Sequence, residues 1–149
     1  MLNLLVYVVL IPVTVFVLLR YGMKRRGVNG NTALLVSACV LFGISSFFPS
    51  PLIHGHDTLF MTHLLGGGVF VGLIWLYLRP ALPTVPWYYE LFLLYSATSA
   101  LGVLNELYET VVFEMGGLST INDTSYDLVA NTLGILLFYG VYKLTKALK

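Results

Sequence analysis

Five long apolar runs, with every Lys and Arg confined to alternate breaks between them, leave this chain few folds to choose from. The runs cover residues 2–19, 32–48, 59–78, 87–107 and 125–142. Each is close to the roughly 20 apolar residues that a helix needs to cross a bilayer. The eight basic residues are Arg20, Lys24, Arg25 and Arg26 after the first run, Arg79 after the third, and Lys143, Lys146 and Lys149 after the fifth. The second and fourth breaks hold none. Basic residues collect on the cytoplasmic side of membrane proteins. The expected fold is therefore an all-α polytopic membrane bundle of five transmembrane helices, N-terminus outside and C-terminus cytoplasmic.

Composition points the same way. Of 149 residues, 58% are hydrophobic and 10% charged, against roughly 45–50% and 25% in a soluble domain. Five spans and short loops use the whole length, so residues 1–149 read as one transmembrane domain. The first run has no basic leader and no small-residue cleavage site, and reads as a retained span. A net charge of +1 with the signs segregated offers no continuous basic face, which excludes nucleic-acid binding. Cys39 stands alone between Ala38 and Val40 and reads as a small packing residue.

Prolines and glycines mark the breaks: Pro49-Ser50-Pro51 after the second run, Arg79-Pro80 after the third, and Gly116-Gly117 after a helical extension of the fourth run to 115. The stretch 118–124 has turn chemistry. Trp87, Tyr88, Tyr89, Tyr139 and Tyr142 fall at the basic ends of the fourth and fifth runs, as interfacial aromatics do. Helices in lipid associate through close backbone approach at small residues. Gly66, Gly67, Gly68 and Gly72 in the third run, Ser96, Ser99, Ala100 and Gly102 in the fourth, and Gly134 in the fifth predict a core of spans three, four and five, with spans one and two outside it.

The acidic side carries the candidate chemistry. Asp123, Asp127 and Asn131 recur every four residues and form one stripe on the fifth helix. Glu106 and Glu109 share a face of the fourth, with Asn105 beside them and Thr98 and Gly102 continuing it inward. His63 lies about a turn and a half inside the third, below His56 and Asp57. The expected ligand-binding set is Asp57, His63, Asn105, Glu106, Glu109, Asp123, Asp127 and Asn131. Solvation accounts equally well for His54, His56 and Glu114, and helix capping for Asp123 or Ser125. His63, Glu106, Asp127 and Asn131 are harder to explain in this way, because a charged or strongly polar group below the interface costs about 2.5–3.5 kcal/mol unless it meets a partner or water; they form either a shared functional site or a structural hydrogen-bond knot.

Several carboxylates in a partly dry place need a cation or shared protons. Oxygen ligands with one imidazole suit Mg, Mn, Ca or Zn, and the candidate metal ligands are His63, Glu106, Glu109 and Asp127. Ser119, Thr120 and Thr124 are near, but no motif frames them as nucleophiles.

Asn105-Glu106-Leu107-Tyr108-Glu109 followed by Asp127-Leu128-Val129-Ala130-Asn131-Thr132-Leu133-Gly134 resembles the closing signature of VanZ-like membrane proteins, an E-x-x-Q helix end and then D-x-x-x-N-x-x-G. Ser46-Phe47-Phe48-Pro49, Asp57 and His63 look like that family's earlier S-x-x-P and Asp-to-His elements. Glu109 stands where Gln is usual, the Asp57 to His63 gap is longer, and Asp123 replaces a common Arg. Glu-x-x-Glu with Asp123-Thr124-x-x-Asp127 is similar to the YjdF-type membrane proteins. The VanZ-like resemblance covers about residues 45–140 and implies a role at the cell envelope, with an association to low-level glycopeptide resistance. By position, Asp57, His63, Glu106, Glu109, Asp127 and Asn131 would be its characteristic residues.

Three functional readings follow. The first is an outward-facing pocket that binds an envelope component, a lipid head group or a glycopeptide, through a divalent cation, since no Lys or Arg on that side is available to hold an anion. The second is a metal-dependent hydrolase or transferase on a lipid-linked substrate, with His63 or Glu106 as general base. The third is a proton- or ion-coupled bundle using Asp127 and Glu106, for which Glu90 is the sole acidic relay on the basic side.

Overall fold

A computed structural model of the protein describes residues 6–53, 56–113 and 121–148. The described residues are mostly helical and form five helices. Helix α1 joins a π-helical turn, Val6–Leu10, to Ile11–Arg25. Helix α2 is Thr32–Ser45, and Asn31 caps it by accepting from the Ala33 amide. Helix α3 is composite: a π-helix Thr62–Val69, an α-helix Phe70–Leu78 and a 3-10 turn Arg79–Ala81. Helices α4 and α5 are Trp87–Phe113 and Ile121–Ala147. Between α2 and α3 a two-residue antiparallel ladder pairs β1, Leu52–Ile53, with β2, His56–Asp57. Two stretches, Thr62–Ala81 and Thr124–Ala147, with mean hydropathies of 1.5 and 1.4, are long and apolar enough to cross a membrane.

Several boundaries differ from the sequence reading. Helix α2 stops at Ser45, three residues early, ahead of the prolines that bar its continuation. Helix α3 starts after Leu59, whose φ of 50° is left-handed and cannot extend a helix. The fifth helix begins at Ile121 rather than 125, so Asn122, Asp123 and Thr124 form its first turn and not a loop. Polar and acidic residues are favourable in a first turn, where the unpaired amides give the helix end a partial positive charge. Neither Asp123 nor Ser125 is therefore the cap. Helix α5 also runs past Lys143 to Ala147, since Lys is a good helix former and suits a C-terminus. His54, Glu114, Gly116, Gly117, Ser119 and Thr120 lie outside the described residues.

Helix α3 occupies the middle of the bundle. A Cβ on Gly68 would meet the Asn131 carbonyl and, at 2.6 Å, the Gly134 Cα, while one on Gly134 would meet the Leu64 carbonyl. Helices α3 and α5 thus cross backbone to backbone at Gly68 and Gly134, and Gly72 admits the Phe138 ring one turn on. Gly66 points elsewhere, at Ser45 of α2, and the Phe42 and Phe70 rings meet 5.0 Å apart beside it. The core is accordingly not spans three, four and five alone: α2 packs directly on α3. Consecutive glycines on a helix face different neighbours, which a small-residue count does not resolve.

Helix α4 offers α5 the buried line Glu90, Leu94, Thr98, Gly102 and Glu106, whereas Ala100 is exposed. The chain's signs separate as its alternating helix directions require. Arg20 reaches Thr32 at one end of the bundle, and there Met23, Leu35 and Tyr77 form one core cluster. At the same end Arg79 pairs with buried Glu90 at 2.9 Å, and the Tyr139 hydroxyl donates to the Trp87 carbonyl at 2.7 Å. Trp87, Tyr88 and Tyr89 are exposed around it, but Tyr139 is buried. Large apolar side chains, among them Val13, Val17, Leu18, Phe92, Leu104, Leu137 and Leu144, cover the outside of the helices.

Candidate metal-binding cluster

At the other end of the bundle three helices bring ligand-type groups together. His63 comes from the π-helical part of α3, Glu106 from α4 and Asp127 from α5. One nitrogen or oxygen of each lies within 4.8 Å of the others. All three are buried, with 8%, 8% and 2% of their surfaces exposed.

Local structure fixes each one. Thr58 Oγ1 donates to the Pro51 carbonyl at 2.9 Å, and Ser50 Oγ accepts from the Met61 amide at 3.0 Å. These two bonds tie the loop after α2 to the start of α3 and set the position of His63. The π-helical turn itself departs from the regular α pattern, a departure frequent at functional sites. His63 Nε2 lies 3.3 Å from Asp127 Oδ1. On α5, Thr124 stands one turn before Asp127 and donates from Oγ1 to Glu106 Oε2 at 2.7 Å. That bond orients the Glu106 carboxyl and leaves its other oxygen, Oε1, buried without a hydrogen-bond partner.

The donor set is one imidazole and two carboxylates. Ligand atoms on a single ion sit at roughly 2.0–2.6 Å from it and hence up to about 4–5 Å from one another, so the triangle has the dimensions of an ion's coordination shell. Two buried carboxylates at this separation repel when both are ionised, and a divalent cation removes that repulsion. A three-residue set also leaves coordination positions for water or an anionic group.

Of the residues expected here, His63, Glu106 and Asp127 converge. Asn131 lies one turn further in on α5, 4% exposed, and Asn105 is half-buried next to Glu106. The side chains of Asp57, Glu109 and Asp123 lie outside the described part of the structure, so the fourth expected metal ligand, Glu109, has no described position. Thr124 stands in the sequence as a nucleophile candidate without a motif and within the Asp123-Thr124-x-x-Asp127 pattern, but not in the expected ligand-binding set. Its spacing of three residues before Asp127 was the available signal that it shares the cluster's face. Deeper in, the Thr98 hydroxyl is buried without a hydrogen-bond partner, and then Leu94, Ile135 and Phe138 close the α4–α5 seam with apolar side chains before Glu90 is reached.

Comparison with known proteins returns no matching family model, no matching curated protein and no matching solved structure.

Proposed function

We propose that this chain is a five-span membrane protein, N-terminus outside, whose His63, Glu106 and Asp127 hold a divalent cation at the outer face. The cation in turn binds an anionic component of the cell envelope, a phosphate-bearing lipid head group or a glycopeptide carboxylate. The observation that carries the reading is the convergence of three buried ligand groups from three helices within 4.8 Å, with Glu106 Oε1 unpartnered. Membrane burial is supported by the apolar exterior, on which many large apolar side chains are exposed along α1, α2, α4 and α5. The orientation rests on the basic residues, and the envelope role on the resemblance to VanZ-like proteins at Glu106, Asp127 and Asn131.

Binding is favoured over conduction. The polar groups of the α4–α5 seam end at the layer of Leu94, Ile135 and Phe138, and Glu90 beyond it is already neutralised by Arg79.

Titration of the purified protein in detergent with Mg, Mn, Ca and Zn ions, followed by thermal unfolding, tests the cation. At least one ion should raise the Tm by several degrees, because a ligand bound only by the folded state stabilises it. His63→Ala should lose that shift. No shift with any of the four ions removes the metal. With the effective ion present, a short-chain phosphatidic acid should bind and the matching diacylglycerol should not; equal binding removes the lipid-phosphate version.

A further inference from the structure

The three-ligand cluster leaves Asn131 unexplained. Its side-chain oxygen, Oδ1, is buried and has no hydrogen-bond partner, although a buried amide oxygen almost always finds a donor. The space it occupies is made by glycines. A Cβ on Gly67 would fall on Asn131 Oδ1, and one on Gly102 would lie 3.0 Å from Asn131 Nδ2.

Those three positions form a layer. Gly67 lies four residues beyond His63 on α3, Gly102 four residues before Glu106 on α4, and Asn131 four residues beyond Asp127 on α5. Each is one turn deeper than a member of the cluster. Beneath the three ligands there are thus two glycines and one carboxamide that fills the room they leave. Side chains on a helix lean toward its N-terminus. Helix α5 starts at the cluster end, so Asn131 leans outward, toward Asp127. Helix α4 ends there, so Glu106 leans inward, toward Gly102. Asn131 turns Nδ2 to Gly102 and Oδ1 to Gly67, one turn beneath His63, and both Oδ1 and Glu106 Oε1 are buried without a hydrogen-bond partner.

We infer that Asn131 Oδ1 is a fourth ligand of the cation and forms the floor of its site, with Gly67 and Gly102 present to admit it. This rests on the metal reading above. A neutral carbonyl oxygen suits hard ions such as Mn and Mg, whereas Zn completes four-coordination readily with water. Asn131 therefore supports Mn binding more than Zn binding.

The test is the dissociation constant of Mn and of Zn for purified wild type, Asn131→Ala and Asn131→Asp in detergent. Asn131→Ala should weaken Mn about tenfold or more and Zn less, while Asn131→Asp, which keeps an oxygen in place, should bind Mn at least as tightly as wild type. Gly67→Ala, which adds no ligand but takes the space of Oδ1, should weaken Mn as Asn131→Ala does. If Asn131→Ala does not fold, Asn131→Leu, of similar volume without the oxygen, carries the same comparison. Wild-type Mn affinity in the folded Ala or Leu variant overturns the fourth ligand and leaves the three-residue cluster standing. Absence of Mn binding by wild type removes the fourth ligand, and the three-residue site falls with it only if Mg, Ca and Zn also fail to bind.

Discussion

Glu90 and Glu106 lie on one face of α4, about four turns apart, and both are buried; their surroundings could hardly differ more. Glu90 meets the Arg79 guanidinium at 2.9 Å, beneath the Tyr139 and Trp87 pair. Its charge is matched inside the chain. Glu106 has a threonine hydroxyl on one oxygen, nothing on the other, and a second carboxylate, Asp127, within the same 4.8 Å triangle. Among the described residues no Lys or Arg forms an ion pair with it. A buried carboxylate whose partner is built in belongs to the architecture, whereas one left with an open oxygen beside a like charge has the chemistry the proposed cation would satisfy.

The contrast breaks most sharply on removal of one partner. Arg79→Ala leaves Glu90 buried and uncompensated, and should cost about 3–5 kcal/mol in detergent unfolding. Glu106→Gln in metal-free protein should cost nothing or stabilise, since it relieves repulsion with Asp127. Equal losses would erase the distinction. In the presence of the bound ion the order reverses: Glu106→Gln should lower ion affinity about 100-fold, while Arg79→Lys, which keeps the charge, should leave it unchanged. Gly68→Ala pushes α3 off α5 and should cost about 1–3 kcal/mol by overpacking, with ion affinity falling alongside, because His63 and Asp127 sit on the two displaced helices. The smallest effects come from single hydrogen bonds at the two ends. Tyr139→Phe and Thr124→Val should each cost about 1 kcal/mol, but Thr124→Val alone should weaken the ion, several-fold, by freeing the Glu106 carboxyl.

Spacing made part of this site readable. Asp127 and Asn131 recur at four residues, and so do Gly102 and Glu106, so each pair had to share a face. Segregation of Lys and Arg from the other charges placed His63 and Asp127 at one end. The rotation of one helix against another was not readable. Gly66, Gly67 and Gly68 looked equivalent as small residues, yet the structure turns Gly66 to Ser45, Gly67 to the Asn131 carboxamide and Gly68 to the α5 backbone. Nor was the π-helical course of Thr62–Val69, because a change in backbone hydrogen-bond step leaves no periodic mark in so short a run of leucines and glycines. The start of α5 was missed for a local reason: Asn122, Asp123 and Thr124 carry turn-forming side chains that serve equally well in a first helical turn.

The most direct test is a count of bound manganese. Free aqueous Mn gives a six-line paramagnetic resonance spectrum that is lost on binding, so titration into chelator-treated protein reports stoichiometry without an activity assay. Wild type should remove one ion per chain from the spectrum, and folded Glu106→Gln at the same concentration should remove almost none. Full signal from wild type across the titration, or an equal loss from both proteins, would contradict a manganese ion held by His63, Glu106 and Asp127.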